Sequence, residues 1–372
     1  MVDTRFDVIV IGGGPAGSAT ALTLASQGRK VALVEQAGDT AFRIGEGLPP
    51  AAKPLLRDLG VWDAFLAQGH LPSYGNASAW GTSELYDTDF MRDPNGHGWH
   101  LDRARFDAML RCKASAAGAA LFSHTRLVGL HPHPNPVWEL YLRADTPFSL
   151  QCTWLVDATG RRTWVARQLG VQRRREDRLV VFYTRFEPGI PGDTDATTLV
   201  EARPCGWWYT ALLPNGHRMV MFFTDGGTAV ARQARVPEGF RHLLMQTTHV
   251  KERLRAFHYA AVAMPRGTAA GSSRLIRFAG ERWLTAGDSA MAFDPLSSQG
   301  ILTALYAGLK AGSALHMALD GQAQAVTNYC GQMEAVYEAY TRQRLAAYHH
   351  ERRWAWQPFW KARQMWGSGD VR

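Results

Sequence analysis

A glycine-rich turn near the start of the sequence has the residue types and spacing needed to bind a diphosphate. The apolar stretch Phe6–Ile11 is typical of a buried parallel strand, and it runs directly into the glycines of Gly12–Gly17. The pattern predicts a helix over Ser18–Gln27 and a second strand over Lys30–Val34, followed by Glu35. Glycines in such a turn let a pyrophosphate approach the helix N-terminus, and an acidic residue after the second strand binds a ribose hydroxyl. The chain therefore contains a complete dinucleotide-binding unit, and Glu35 disfavours a 2′-phosphorylated nucleotide.

Later segments decide which dinucleotide this unit holds, because FAD and NAD share the glycine fingerprint. The apolar strand that begins at Trp154 ends in a small-residue turn at Ala158-Thr159-Gly160. The stretch RWLTAGDSA occupies 282–290, and FDPLSSQGI at 293–301 precedes a helix that we expect to reach about Ala318. In this order the segments resemble the glutathione-reductase-type FAD fold of p-hydroxybenzoate-hydroxylase-like monooxygenases and flavin-dependent halogenases.

This resemblance implies roles for single residues. In these families a Gly-Asp carboxylate, here that of Asp288, binds the ribityl and pyrophosphate side of FAD. Pro295 and the next helix N-terminus would lie at the isoalloxazine ring, where the helix dipole stabilises negative charge on the reduced ring. The sequence RARFD at 103–107 resembles the family's R-x-x-F-D helix start, which assigns Arg103 to the FAD phosphates.

The loop RIGEGLPP at 43–50 resembles the family loop that passes near the flavin. Arg43 either touches FAD or pairs with an acidic residue, and Glu46 either shapes the reaction site or caps a helix at Ala51–Leu59. The predicted cofactor-binding residues are Gly12, Gly14, Pro15, Ala16, Gly17, Glu35, Arg43, Arg103, Asp157, Gly160, Gly287, Asp288, Pro295, Ser298, Gln299, Gly300 and Ile301.

A tryptophan-rich stretch, CGWWYTALL from Cys205, is predicted to be a strand of a second sheet. Because side chains alternate across a strand, Trp207 and Tyr209 share one face and Trp208 occupies the other. We expect one face to line a substrate cavity, although each aromatic ring could equally be a core residue. With Glu46 and Pro295, Trp207 and Tyr209 form the predicted catalytic set, and no acid or base emerges from the spacing. His97 and His100 lie near the junction and are interpreted as structural histidines.

The predicted fold class is α/β. A glutathione-reductase-type, Rossmann-like FAD domain is expected to be discontinuous, at 1–70, 98–170 and 272–320. A mixed β-sheet substrate domain is interleaved at 71–97 and 171–271, where β-forming residues alternate. A helical C-terminal region covers 321–372.

The composition is that of a globular protein, with a net charge of +8 and 35 arginines against six lysines. Arginine suits the phosphates of a dinucleotide and an acidic partner. No nucleic-acid-binding module, signal peptide or transmembrane run is recognisable, so we expect a cytoplasmic protein. The four cysteines lie far apart without a C-x-x-C motif, so neither disulfides nor a metal site is predicted.

The end of the chain, from His349 to Trp366, interleaves cations with four tryptophans. A packed amphipathic helix is the favoured interpretation, and a partner-docking surface or a membrane-surface anchor are the alternatives.

The neighbourhood of the tryptophan strand argues against halogenation. In tryptophan halogenases an active-site lysine follows the Gly-Glu loop by some tens of residues. No lysine occurs between Lys53 and Lys113, and the best-matching position is Asn76, whose amide can form no haloamine. The strand also continues as Ala-Leu-Leu-Pro after Thr210, where halogenases have Ile-Pro.

The loop 43–50, the stretch 206–209, the segment 293–300 and the length resemble the LodB/GoxB-like flavoproteins. These mature the tryptophan-derived quinone cofactors of lysine ε-oxidase and glycine oxidase. The resemblance implies an FAD-dependent monooxygenase that hydroxylates a tryptophan of a partner precursor protein through a flavin C4a-hydroperoxide. Electrons would come from NAD(P)H or from a separate flavin reductase. A small-molecule aromatic hydroxylase, a halogenase and an FAD-binding maturation chaperone are the alternatives.

Overall fold

The computed structural model describes residues 4–38, 43–132 and 138–364, which form 22 strands and 11 helices. The strands, numbered in chain order, are β1 (Arg5–Ile11), β2 (Val31–Val34), β3 (Gly47–Leu48), β4 (Leu71–Ser73), β5 (Gly75–Ala79), β6 (Tyr86–Asp89), β7 (Gly98–His100), β8 (Ala120–Phe122), β9 (Arg126–Pro132), β10 (Trp138–Arg143), β11 (Pro147–Asp157), β12 (Arg173–Arg175), β13 (Leu179–Glu187), β14 (Thr198–Arg203), β15 (Gly206–Leu212), β16 (Arg218–Asp225), β17 (Ala260–Ala261), β18 (Arg266–Ala269), β19 (Ser273–Leu275), β20 (Ala279–Gly280), β21 (Trp283–Thr285) and β22 (Met291–Ala292).

The helices are α1 (Pro15–Ser26), α2 (Ala52–Asp58), α3 (Trp62–Leu66), α4 (Arg103–Ala116), α5 (Trp164–Gln168), α6 (Ala229–Ala234), α7 (Pro237–Met245), α8 (His249–Ala256), α9 (Gly300–Leu319), α10 (Gln324–His350) and α11 (Pro358–Gln364).

An eight-stranded sheet forms the centre of the dinucleotide unit. Its main path runs β20-β21-β11-β1-β2-β8, and β1 pairs in parallel with both β11 and β2. The strand β21 pairs in parallel with β11, although more than a hundred residues separate them in the chain. Strands buried on both faces need continuous apolar sequence, and the residues of β1 and β2 supply it.

A second eight-stranded sheet has the order β17-β13-β16-β15-β14-β5-β6, with β18 added beside β13. Its pairs are antiparallel except for β14 with β5. Its two faces bury separate apolar clusters, one of which includes Trp208 and the other Trp207. The alternation predicted for the tryptophan strand is therefore what the structure has. Two three-stranded sheets, β12-β19-β22 and β3-β7-β4, complete the strands.

The C-terminal helices pack onto both sheets. Trp360 is fully buried, and its indole nitrogen donates to the Arg203 carbonyl at 2.9 Å. The buried Arg363 pairs with Asp225 at 2.7 Å, whereas Trp356 is 70% exposed. The described part of the tail is packed as predicted, but it is not the single amphipathic helix of the favoured interpretation, because α10 ends at His350, α11 begins at Pro358 and Arg363 is buried. Trp366 lies outside the described residues.

The predicted α/β fold class is confirmed. The strands of the first sheet come from the segments assigned to FAD binding, and those of the second come from the segments assigned to the substrate domain. The domain boundaries themselves stay a prediction. No helix within the described ranges has the length and apolar character needed to cross a bilayer.

Candidate functional site

A cavity of about 1020 Å³ is lined by residues of both eight-stranded sheets. The predicted site residues that line it are Gly12, Gly14, Pro15, Ala16, Glu35, Arg43, Glu46, Arg103, Gly160, Tyr209, Asp288, Pro295, Ser298, Gly300 and Ile301. The predicted site residues that are not among its lining residues are Gly17, Asp157, Trp207, Gly287 and Gln299.

The glycines of the first turn differ in the space available for an added Cβ atom. A Cβ at Gly12 would lie 2.2 Å from the Ala158 carbonyl oxygen, and one at Gly17 would lie 1.8 Å from the Gly12 carbonyl oxygen. These two glycines allow the strand, the helix and the neighbouring turn to pack closely. A Cβ at Gly14 would meet only Arg43 Nη1, at 3.8 Å. The fold does not need a glycine at position 14, which leaves open space beside the cavity at this position.

Glu35 fixes the shape of the glycine turn. Its Oε2 accepts a hydrogen bond from the Gly13 amide at 2.7 Å, and its Oε1 accepts one from the Ala37 amide at 2.6 Å. The carboxylate lines the cavity at the end of β2, where a ribose would lie in a dinucleotide-binding unit.

The two arginines beside this turn are held by acids. Arg43 Nη1 lies 3.1 Å from Asp107 Oδ2, and Arg43 Nη2 lies 3.5 Å from Glu35 Oε1. Arg103 also pairs with Asp107, at 3.2 Å, and donates to the carbonyl oxygens of Ile44 and Gly45. Arg43 thus pairs with acids and lines the cavity as well, so both interpretations of it stand. The roles of both arginines toward the cofactor stay predictions.

Asp157 and Gly287 do not line the cavity themselves but contact the turns that do. Asp157 is buried, and its carboxylate accepts hydrogen bonds from the Thr159 amide, the Thr159 hydroxyl and the Ala166 amide. A Cβ at Gly287 would lie 2.6 Å from the Ala16 Cβ, so this glycine lets the following turn approach α1. Both residues position the turns that line the cavity.

The opposite end of the cavity is formed by the start of α9. Pro295 and Ser298 line it, and around Gly300 no atom lies within 4 Å of the place a Cβ would occupy. Gln299 points elsewhere, with its amide 3.4 Å from Gln343 Oε1. A 20-residue helix therefore begins at an open space, which suits a ring that gains negative charge.

These residues fit FAD. Two helix N-termini, the open positions at Gly14 and Gly300, and the acid at Glu35 are the parts that a flavin dinucleotide needs along its length. When bound, FAD would supply redox chemistry that no side chain has. Among the described residues, no cluster of three or more His, Cys, Asp or Glu side chains could hold a metal ion.

A polar pair stands in the wall formed by the second sheet. Tyr209 and Glu46 lie close to each other there, and both side chains line the cavity. Burial raises the pKa of Glu46, although Tyr209, nearby amides and Arg103 oppose this effect. Burial, together with the charge of Glu46, raises the pKa of Tyr209 well above its usual value. Burial therefore favours the neutral form of the Glu46 carboxyl group.

Trp207 lies next to this wall but inside the core. Its ring stacks on Phe223 with centroids 3.7 Å apart, and its indole nitrogen lies 3.2 Å from the Tyr348 hydroxyl. Tyr348 in turn donates to Asp294 Oδ2 at 2.7 Å, beside Pro295. The structure thus connects Trp207 to the turn at Pro295 through Tyr348 on α10. The catalytic role predicted for Trp207 stays a prediction.

Sequence reasoning missed the apolar part of the wall, Val181, Met221 and Phe223. The register pairs Tyr209 with Met221, and Phe223 with Val181, so these residues share one face of three adjacent strands. The same period-2 alternation that groups Trp207 with Tyr209 would have found them had the strand pairing been known. Arg161 was missed too, and it lies 3.4 Å from Asp288.

The fold and sequence have relatives among flavoenzymes. LodB of Marinomonas mediterranea, named as an FAD-dependent oxidoreductase, is 28% identical over 98% of both chains. The myxobacterial chondrochloren halogenase CndH has a TM-score of 0.89 at 24% identity, over 98% of this chain and 87% of its own. QhpG, a peptidyl tryptophan dihydroxylase essential for tryptophylquinone cofactor biogenesis, has a TM-score of 0.75 at 24% identity, over 99% of this chain and 80% of its own.

These similarities confirm the resemblance to halogenase-like flavoproteins and to LodB that the motifs indicated. The sequence profile described as FAD binding domain matches residues 5–347, which is most of the chain. The chain therefore belongs to this FAD binding domain family and is an FAD-dependent oxidoreductase.

Proposed function

We propose that the protein is an FAD-dependent monooxygenase that hydroxylates the indole ring of a tryptophan in a partner precursor protein, during maturation of a quinone cofactor. The observation that carries the proposal is the composition of the cavity wall opposite the dinucleotide turns. There Val181, Met221 and Phe223 form an apolar patch beside the polar pair Glu46 and Tyr209.

Such a wall suits an uncharged aromatic ring. Apolar side chains accommodate the flat faces of an indole, and one or two polar groups orient its nitrogen or its reacting edge. The volume lies just above the range of about 300–1,000 Å³ typical of ligand pockets. That size is consistent with a cofactor and a substrate ring sharing one cavity.

The described cavity lining has no counterpart of the lysine that tryptophan halogenases use. None of the described residues that line the cavity is a lysine. Asn76, the position that best matches the halogenase lysine, lies on β5 and is not among the lining residues. This supports direct transfer of oxygen to the ring.

Two similarities support a protein substrate. The motifs resemble the LodB/GoxB-like flavoproteins, and the fold is that of QhpG, whose substrate is a peptidyl tryptophan. An excess of arginine suits an acidic partner surface. The cofactor is FAD, and we propose NAD(P)H or a separate flavin reductase as the electron donor.

The test is coexpression with the precursor of a tryptophylquinone-dependent oxidase, followed by peptide mass spectrometry. The expected result is oxygen added to one precursor tryptophan, and much less addition with Gly14→Val, whose Kd for FAD should be roughly a hundredfold weaker. Parallel reactions supply reductase, O2, chloride or bromide, and free indoles and phenols. Precursor that matures equally without this protein, a halogenated product, or efficient hydroxylation of a free small aromatic would overturn the proposal.

A further inference from the structure

The strand β18 forms an open edge of the second sheet beside the cavity. Among the described residues, the only strand that pairs with it is β13, which runs antiparallel with Tyr183 opposite Arg266 and Val180 opposite Ala269. All the residues of β18 are exposed. A strand edge of this kind presents a row of free N–H and C=O groups, and an extended chain can pair with them. The edge of β18 is therefore a candidate site for the addition of a strand from another protein.

The register of β18 shows which of its backbone groups are free. The Ala270 amide donates to the Leu179 carbonyl oxygen at 2.9 Å. In an antiparallel pair the hydrogen-bonded positions recur at every second residue, so the next one along β18 is Thr268. The peptide groups of Gly267 and Ala269 therefore point away from β13, and no described residue donates to them or accepts from them. A chain lying along this edge would meet two N–H donors and two C=O acceptors.

The cavity reaches the surface at the same edge. Ala269 and Ala270 line the cavity, and Ala269 is also exposed. Val181, which belongs to the apolar wall, pairs with Thr268, so the Thr268 side chain lies on the cavity face of the sheet. Neighbouring strands lie about 4.8 Å apart, so a side chain opposite Thr268 on an added strand has only β18 to cross before it reaches Val181. An added strand would thus direct every second side chain toward the cavity face.

Exposed arginines surround this opening. Arg162 lines the cavity, Arg266 belongs to β18, and Arg178 immediately precedes Leu179, the residue that bonds to Ala270. Within the described ranges, none of the three arginines forms an ion pair with an acid. Free positive charge at the edge favours an acidic segment, and it disfavours a second copy of a chain whose net charge is +8.

We propose that an extended, acidic segment of the precursor protein adds to β18 as a further strand and inserts its tryptophan into the cavity from this edge. The outward groups of Gly267 and Ala269 bind the backbone of the segment whatever its sequence, and the cavity selects the tryptophan among its side chains. This binding mode rests on the proposed function, because it takes the precursor as the partner. A tryptophan within a helix cannot be presented in this way, so the reaction requires that the segment be extended.

The test measures binding to the oxidised holoprotein with no electron donor present. The probe is a dye-labelled, capped peptide of about nine residues, in which valine and aspartate alternate around a central tryptophan. We expect binding in fluorescence anisotropy, together with protection of the Gly267 and Ala269 amides from hydrogen exchange. Replacement of the probe's tryptophan by alanine should weaken binding, because the indole no longer leaves water for the apolar wall.

Methylated probes test the strand geometry without any change to the protein. An N-methyl group removes one N–H donor, and only alternate amides of an added strand face β18. Methylation of an amide that faces β18 should weaken the Kd about fivefold or more, which corresponds to the loss of one hydrogen bond. Methylation of the adjacent amides should change the Kd by less than about twofold, because these groups face solvent.

Proline substitutions test the edge itself. Ala269→Pro removes an outward N–H and leaves the bonds between β18 and β13, so the Kd should weaken about fivefold or more. Asp87→Pro is the matched control on β6, the opposite edge of the same sheet. There the bond from the Phe90 amide to the Tyr74 carbonyl oxygen places the Asp87 amide outward as well, and binding should not change. Arg266→Glu should weaken the Kd about fivefold or more and reduce its dependence on salt.

Equal losses from methylation of adjacent amides would overturn the inference, as would absence of binding by the probe or equal binding to wild type and Ala269→Pro. A wild-type dimer that Ala269→Pro converts to monomers would identify a second copy as the occupant and would also overturn it. If Ala269→Pro does not fold, the methylated probes and Arg266→Glu still decide the matter. A precursor hydroxylated equally well by Ala269→Pro would refute strand addition and leave the proposed function intact. Strand addition without hydroxylation of any precursor would do the reverse.

Discussion

Gly14→Val should separate FAD binding from folding. The backbone of Gly14 lies at φ −75° and ψ −176°, an extended conformation open to valine. A Cβ there would meet only Arg43 Nη1, at 3.8 Å. The free energy of unfolding of the apo-protein should therefore fall by no more than about 1 kcal/mol, because valine is a poorer N-cap than glycine.

FAD binding should respond more strongly to the same change. The three added carbons would enter the space that a diphosphate needs at the N-terminus of α1. Overpacking costs about 1–3 kcal/mol, and a loss at the upper end weakens the Kd roughly a hundredfold. Fluorescence titration of the apo-protein with FAD measures the Kd, and urea unfolding of the same sample measures stability.

Two further glycines provide the controls. A Cβ at Gly17 would lie 1.8 Å from the Gly12 carbonyl oxygen, so Gly17→Ala should destabilise the apo-protein by about 3 kcal/mol or more. Gly331 lies inside α10 with nothing within 4 Å of its added Cβ, so Gly331→Ala should stabilise by about 0.5–1 kcal/mol. The reasoning is refuted if Gly14→Val binds FAD as tightly as the wild type, or if it unfolds as easily as Gly17→Ala.

Two other predictions concern stability. Because burial lowers the pKa of His100 from 6.5 to about 4, the unfolded chain takes up this proton first as the pH falls. The free energy of unfolding should thus drop by about 2 kcal/mol between pH 7 and pH 5 on account of His100, and a His100→Gln variant with the same slope in urea titrations would contradict this. Tyr348→Phe leaves the Trp207 indole nitrogen without its hydrogen-bond partner and removes the bond to Asp294 Oδ2, so it should lower stability by about 1–3 kcal/mol. Tyr86→Phe, at a side chain on the exposed edge strand, should change it by less than about 0.5 kcal/mol, and equal effects of the two would argue against the buried bonds.

The dinucleotide unit could be predicted from the sequence because its physics is local. The turn at Gly12–Gly17, the apolar strand before it and the acid at Glu35 follow one another within about thirty residues, and each has a distinct residue type. The alternation of Trp207 and Tyr209 was equally local, since it depends only on the pleat of one strand.

The place of each side chain within the site depends on distant packing, which the sequence does not reveal. Trp207 does not line the cavity, and its indole nitrogen donates to Tyr348, 141 residues later in the chain. Likewise, Thr198 and His100 are 98 residues apart and meet only because β7 and β14 are brought together. Spacing along the chain has no information on such contacts, so the hydrogen bond between Thr198 and His100 could not be predicted.

The position of α9 against α1 has a consequence for the synthesis of the protein. The Thr20 hydroxyl donates to the carbonyl of Gly308, 288 residues away, and β21 joins the first sheet only after most of the chain exists. On a ribosome, the glycine turn therefore emerges long before the helix that closes the far end of its cavity. Contacts of such long range form late in folding. We therefore expect FAD to bind the released polypeptide rather than the growing one, so that the flavin available after translation limits how much holoenzyme forms.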